Sequence, residues 1–187
     1  VSMVAFAAVL LLGILKGVIV AVLVSMLLLI RRAAHPHVAF LGRIPGARGY
    51  SDIERNPDNE AVPGALIFRV ESALLYFNVD HVRDAVWEKV RSNPGPLKLV
   101  ICDLSISPML DLAGARMLKT LQAQLQAAGI GLRLVAAHAS ARDILRAEGL
   151  EERVGYFGRR VSVADVIDEF QDGTGEDAPT VPTAPAT

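Results

Sequence analysis

The residues best placed for chemistry lie in one stretch, Asp103-Leu104-Ser105-Ile106-Ser107-Pro108-Met109-Leu110-Asp111-Leu112-Ala113-Gly114. Two carboxylates, Asp103 and Asp111, bracket two hydroxyls, Ser105 and Ser107. No base stands beside either hydroxyl, so the pattern does not indicate a nucleophile for covalent catalysis. A structural role explains much of it. Asp103 ends an apolar run, and Asp111 stands where an amphipathic helix begins, as an N-cap worth about 1 kcal/mol. The functional reading is a docking or switch surface built from Asp103, Leu104, Ser105, Asp111, Leu112, Ala113 and Gly114. Gly114 in that reading lets a partner backbone approach closely.

Other reactive side chains give weaker signals. His35, His37, His81 and His138 show no metal-ligand spacing with Cys or acids. Cys102 is the only cysteine, so no intrachain disulfide forms, and its apolar neighbours mark a buried thiol. There is no Gly-rich phosphate loop. Trp87 reads as helix packing, with a protein contact as the rival reading. No cofactor, metal or catalytic residue is expected. A formal net charge of -1 carries no signature of nucleic-acid binding.

The elements that must position the stretch follow from periodicity. Ala65–Val70 and Leu74–Asn78 read as short strands. Val79–Ser92 reads as a helix with Val79, Val82, Val86 and Val90 on one face. Leu97–Asp103 is a buried strand, Leu112–Ala128 a second helix stopped by Gly129, and Leu132–Ala136 a further strand. Ser140 with Asp143, and Ser162 with Asp165, suggest capping boxes for two more helices. Strands alternating with helices imply a mainly parallel sheet with helices packed on it. This α/β domain is placed at residues 65–170, with a disordered tail at 171–187.

The first thirty residues differ sharply from the rest. Met3 to Ile30 is apolar apart from Lys16 and Ser25, and Arg31-Arg32 follows. The apolar stretch exceeds the roughly 7–15 residues of a signal-peptide core, so residues 1–32 read as a permanent membrane segment. One helix over this span would measure about 42 Å, against a hydrocarbon layer of about 30 Å. A tilted helix ending at Ile30 fits but carries Lys16 into lipid. A break near 13–17, at Gly13 and Gly17, gives two short arms, Met3–Leu12 and Val18–Ile30, and is favoured. Arg31, Arg32, Arg43 and Arg48 form a basic flank that places this side in the cytoplasm, with anionic lipid as a compatible partner. Residues 33–64 hold many Pro and Gly and read as a connector without a central strand. Residues 60–171 are expected to fold alone as a soluble domain, while the full chain needs detergent.

Several segments together resemble a known family. D-L-A-G opening an amphipathic helix after a strand and loop resembles the signature of a STAS domain. R-R-A-A-H-P, L-G-R-I-P-G, Y-S-D-I-E-R-N-P, V-P-G-A-L-I-F-R-V and L-Y-F-N-V-D resemble the stretch that joins the last membrane helices of sulfate permease (SulP) anion transporters to such a domain. The resemblance runs from about Val9 to Phe170. It implies the C-terminal part of a secondary active sulfate or inorganic-anion transporter in a bacterial inner membrane. The domain would be cytoplasmic and regulatory or assembling, and the chain would not be transport-competent alone. It also favours the broken arms. Expected partners are membrane lipid, the remainder of the transporter membrane domain, a second copy and a cytoplasmic regulatory protein, and no nucleic acid. The alternative is a membrane-tethered STAS binding module of the kind found in anti-sigma-factor-antagonist signalling. Related domains often carry Ser or Thr before the final Gly of the motif, a phosphorylation site in the antagonists. Here that position is Ala113, so a phosphate switch there is chemically excluded.

Overall fold

The computed structural model describes residues 14–158 and 160–173. The chain divides into two units, Val1–Pro36 and His37–Thr187. In the first unit, helix α1 spans Ile14–Ala34. Its 21 residues reach about 31 Å at ~1.5 Å each, enough to cross a bilayer. The consecutive residues Leu27, Leu28, Leu29 and Ile30 are all exposed, and successive positions point about 100° apart, so apolar surface is not confined to a stripe facing a core. Of the expected break, Gly13 and the arm Met3–Leu12 lie outside the described residues. From Ile14 onward the helix is continuous through Lys16 and Gly17. A helical glycine costs only about 1 kcal/mol. Lys16 stands at the opposite end from Arg31 and Arg32, which occupy the last turn, so its long stem can carry the charge toward an interface.

The second unit is built on five strands, β1 (Val38–Arg43), β2 (Tyr50–Asp52), β3 (Ala65–Val70), β4 (Leu99–Asp103) and β5 (Gly131–Val135), in the order β2-β1-β3-β4-β5. Helices α2 (Val79–Ser92) and α3 (Leu112–Ala127) link β3 to β4 and β4 to β5. Then come α4 (Ala139–Ala147), α5 (Glu151–Val154) and α6 (Val163–Gly173). Strands β3, β4 and β5 are parallel, with Phe68, Cys102 and Leu134 in register, while β1 is antiparallel to both its neighbours. The fold is an α/β domain on a mixed sheet, parallel across β3, β4 and β5 and antiparallel at β1 and β2.

The pleat sends alternate residues into two separate cores. On one face Phe68, Val100, Cys102 and Leu134 meet Val82 and Val86 of α2 and Leu118, Leu121 and Leu125 of α3. On the other, Ala39, Leu41, Ile67, Ile101 and Val135 meet Val163, Val166 and Ile167 of α6.

The structure differs from the sequence reading in four places. The connector at 33–64 contains β1 and β2, and β1 sits inside the sheet between β2 and β3. Pro36 and Pro45 bracket the run Val38–Arg43 without entering it, so six residues remain free to pair. Gly42 is required there, since a Cβ would meet the Glu60 carbonyl oxygen at 2.9 Å. Leu74–Asn78 is not a strand. It makes one bridge, Leu74 to Leu110, and then turns. The Asn78 side chain is responsible, accepting from the Leu75 N–H at 2.9 Å and donating to the Ala73 carbonyl at 2.9 Å. Helix α4 begins one residue before Ser140, with His138 at its N-cap and no side-chain cap. Helix α6 continues through Gln171–Gly173, the start of the expected tail. The remainder of that tail, 174–187, lies outside the described residues.

Candidate functional site

The stretch after β4 lies at the C-terminal ends of the three parallel strands. Asp103 is buried, and its Oδ2 accepts from Arg69 Nε at 2.9 Å and Nη2 at 2.6 Å. Its Oδ1 accepts from the Ser105 N–H at 2.9 Å. The carboxylate ties β3 to β4 and starts the loop. Leu104 enters the core, and its N–H donates to the Val135 carbonyl at 3.0 Å. The Ser105 carbonyl accepts from His138 Nε2 at 3.0 Å, which assigns that nitrogen as protonated. The Ser107 hydroxyl is buried and donates to the Val70 carbonyl at 3.1 Å.

Asp111 does two tasks. Its Oδ1 accepts from the Gly114 N–H at 2.8 Å, the N-cap expected for α3. Its Oδ2 accepts from the Tyr76 N–H at 2.9 Å. Leu74 flanks this link, its N–H donating to the Met109 carbonyl at 2.9 Å and its carbonyl accepting from the Asp111 N–H at 3.1 Å. The loops 71–78 and 104–111 are thereby knitted into one rigid rim. Gly114 has an internal reason to be glycine. A Cβ would stand 2.8 Å from the Leu74 carbonyl oxygen and 3.2 Å from Leu110 Cγ. The backbone it admits is the chain's own, a correction to the partner reading.

With the polar groups turned inward, the rim presents apolar side chains. Tyr76 is 74% exposed, Met109 56% and Leu112 47%, with Phe77 and Ile106 beside them in the rim loops. Tyr76 and Phe77 meet edge to face at 5.3 Å. A groove between α2 and α3, lined by Asp80, Arg83, Asp111, Leu112, Ala113 and Arg116, adjoins them. Arg83 is neutralised by Asp80 and Asp84, each at 2.9 Å. Of the residues singled out from sequence, Asp103, Asp111 and Gly114 build the rim, Leu104 anchors it, and only Leu112 offers a large exposed surface. Reading the sequence missed Tyr76, Phe77, Arg69 and His138. The adjacent aromatics before Asn78 were the available signal, read instead as strand residues.

The four arginines of the basic flank separate. Arg31 and Arg32 end α1. Arg43 and Arg48 belong to the β1–β2 hairpin, where Arg43 Nη2 donates to Tyr50 Oη at 3.3 Å and to Gln171 Oε1 at 3.1 Å, and Arg48 pairs with Asp168. These two are engaged by the domain itself. Burial pushes the Cys102 thiol well above its usual range, with the Asp103 charge adding to it, so the thiolate needed for reactivity is suppressed. Trp87 Nε1 donates to Gln124 Oε1 at 2.9 Å and packs on the core. Among the described residues no group of three or more His, Cys, Asp or Glu is placed to hold a metal.

Residues 56–165 match the STAS domain family. The chain is 34% identical over 149 residues to a probable sulfate transporter of Mycobacterium tuberculosis strain H37Rv, covering 80% of this chain and 27% of that protein. It is 27% identical over 159 residues to high affinity sulfate transporter 2 of Stylosanthes hamata, covering 81% of this chain and 24% of that protein. The chain thus spans about a quarter of the length of these curated relatives. Among solved structures it is similar to the murine Solute Carrier 26 family member A9 anion transporter in its inward-facing state, with a TM-score of 0.72 and 22% identity, over 89% of this chain and 27% of that one. The relatives named here are transporters rather than enzymes. With the family match covering more than half of its length, the chain belongs to the STAS domain family.

Proposed function

We propose that this chain is the C-terminal region of a secondary active transporter of sulfate or another inorganic anion. In this reading α1 lies in the membrane, a bacterial inner membrane, and the STAS domain lies in the cytoplasm. The domain makes and breaks no bonds. It docks or assembles, through the rim of Tyr76, Phe77, Met109 and Leu112, with the rest of the transporter, with a second copy, or with a cytoplasmic regulator. One observation carries the reading. The similarity to a solved anion transporter extends over 89% of the chain, more than the stretch from His37 onward contains, so it reaches into the apolar segment. A helix long enough to cross a bilayer, ended by Arg31 and Arg32, agrees with the cytoplasmic orientation.

The signalling alternative has less support. A phosphorylation switch needs a hydroxyl before Gly114, and Ala113 has none. Ser107 cannot substitute, since its hydroxyl is buried against the Val70 carbonyl.

Labelled-sulfate uptake tests the reading. Cells making this chain alone should take up no more than control cells, and cells making the longer reading frame that contains it should take up more. Deleting residues 65–170 from the longer protein should lower uptake or assembly. Protease protection that placed Phe68–Phe170 outside the cell would overturn the orientation.

A further inference from the structure

We propose that α6 is a charge-held strap that undocks from the sheet while the rest of the domain stays folded, baring a second apolar face. The domain has two cores that do not share side chains. The larger lies under α2 and α3, and the smaller is closed by Val163, Val166 and Ile167 of α6, with Phe170 packed against it. Lifting α6 uncovers Ala39, Leu41, Ile67, Ile101 and Val135 and leaves the larger core untouched.

The strap is held by arginines from two places, the hairpin and β5. Asp168 pairs with Arg48 of the hairpin, Gln171 accepts from Arg43 of β1 at 3.1 Å, and Glu169 pairs with Arg133 of β5 at 3.4 Å. Asp165 also feels Arg48, although its main partner is Ser162 at the helix start. The Arg48 and Asp168 side chains are 76% and 46% exposed. Exposed pairs of this kind are screened by salt, whereas the buried contacts of α2 and α3 are not. The family match runs from residue 56 to 165. Both the hairpin and most of α6 therefore lie outside the matched stretch, yet they hold each other. The hairpin also follows α1 directly in the chain, so docking of α6 bears on the segment next to the membrane helix.

Hydrogen exchange on the full chain in detergent tests this. Amides of 163–173 should exchange faster than those of α3, and their rate should rise about two- to fivefold between low and high salt while α3 stays unchanged. Arg48→Glu should produce a similar rise at low salt, and adding Asp168→Arg should reverse it. Cys102 provides an internal control because it faces the larger core. Its reaction with a thiol reagent should not follow the opening of α6. The proposal is overturned if α6 exchanges as slowly as α3, if its exchange is indifferent to salt, or if Cys102 reacts in step with it.

Discussion

The rim after β4 and the hairpin edge use their charges in opposite ways. At the rim, Asp103 and Asp111 turn inward onto Arg69 and backbone N–H groups, and apolar side chains are left facing out. At the hairpin, Arg43 and Arg48 reach outward to α6 while the apolar side chains are covered. The first arrangement leaves an apolar surface, and the docking role proposed for it would rest on shape and apolar contact. The second makes a joint whose strength depends on ions in solution. The difference separates a part proposed to be touched from a part that holds the domain's own helix.

The largest effect should come from cutting the hairpin away. A polypeptide of residues 60–171, first expected to fold alone, lacks β1 and β2 and leaves β3 as an open edge. Four register pairs, Val38 with Val70 through Leu41 with Ile67, are lost. It should aggregate or unfold, whereas residues 37–173 should give a cooperative urea transition. Comparable stability of the two would show that the hairpin holds nothing. Next in size is Asp103→Ala, which leaves Arg69 without its carboxylate and the Ser105 N–H without an acceptor. A loss of about 3 kcal/mol is expected, the low end for a broken buried pair because Arg69 is partly exposed. Gly114→Ala should cost about 2 kcal/mol, since the new methyl group pushes on the Leu74 carbonyl. Urea unfolding of residues 37–173 measures both.

What was legible in the sequence was local. The Asp111 cap and the capping box of Ser162 and Asp165 depend on residues three apart, and both form. The faces of α2 and α3 follow from spacings of three and four. What was not legible joins distant residues. Nothing in Val38–Arg43 announces that it pairs with residues about thirty positions later, and Pro and Gly counts nearby pointed the other way. Tyr76 reaches the site only because Asp111, 35 residues on, accepts its N–H. The apolar rim therefore could not be drawn from the D-L-A-G stretch alone.

A smaller effect separates the rim's two jobs for Asp111. Asp111→Ala removes a cap and frees the Tyr76 N–H, at a cost of about 1 kcal/mol. Because Tyr76 is exposed, water can replace the second bond, so the loss should track the helix start. Exchange at Gly114 should rise, and the slow amides of β4 should not change. If β4 loosened equally, the two loops would be one unit with the sheet and not a rim set upon it.

The smallest effect concerns pH at the hairpin. Burial pushes the Asp52 carboxyl upward, but hydrogen bonds from His37 at 3.0 Å and the Glu54 N–H, with the charges of His37 and Arg55, bring it net below its ordinary value. A carboxylate that titrates lower in the folded state adds stability above its unfolded pKa, and that stability is lost as pH falls through the folded value. Wild type should therefore exceed Asp52→Asn in stability at neutral pH by about 0.5 kcal/mol. The gap should narrow only below about pH 4. Urea midpoints measured from pH 3 to 7 decide it. A gap that did not change with pH would mean that Asp52 acts through its shape and hydrogen bonds alone.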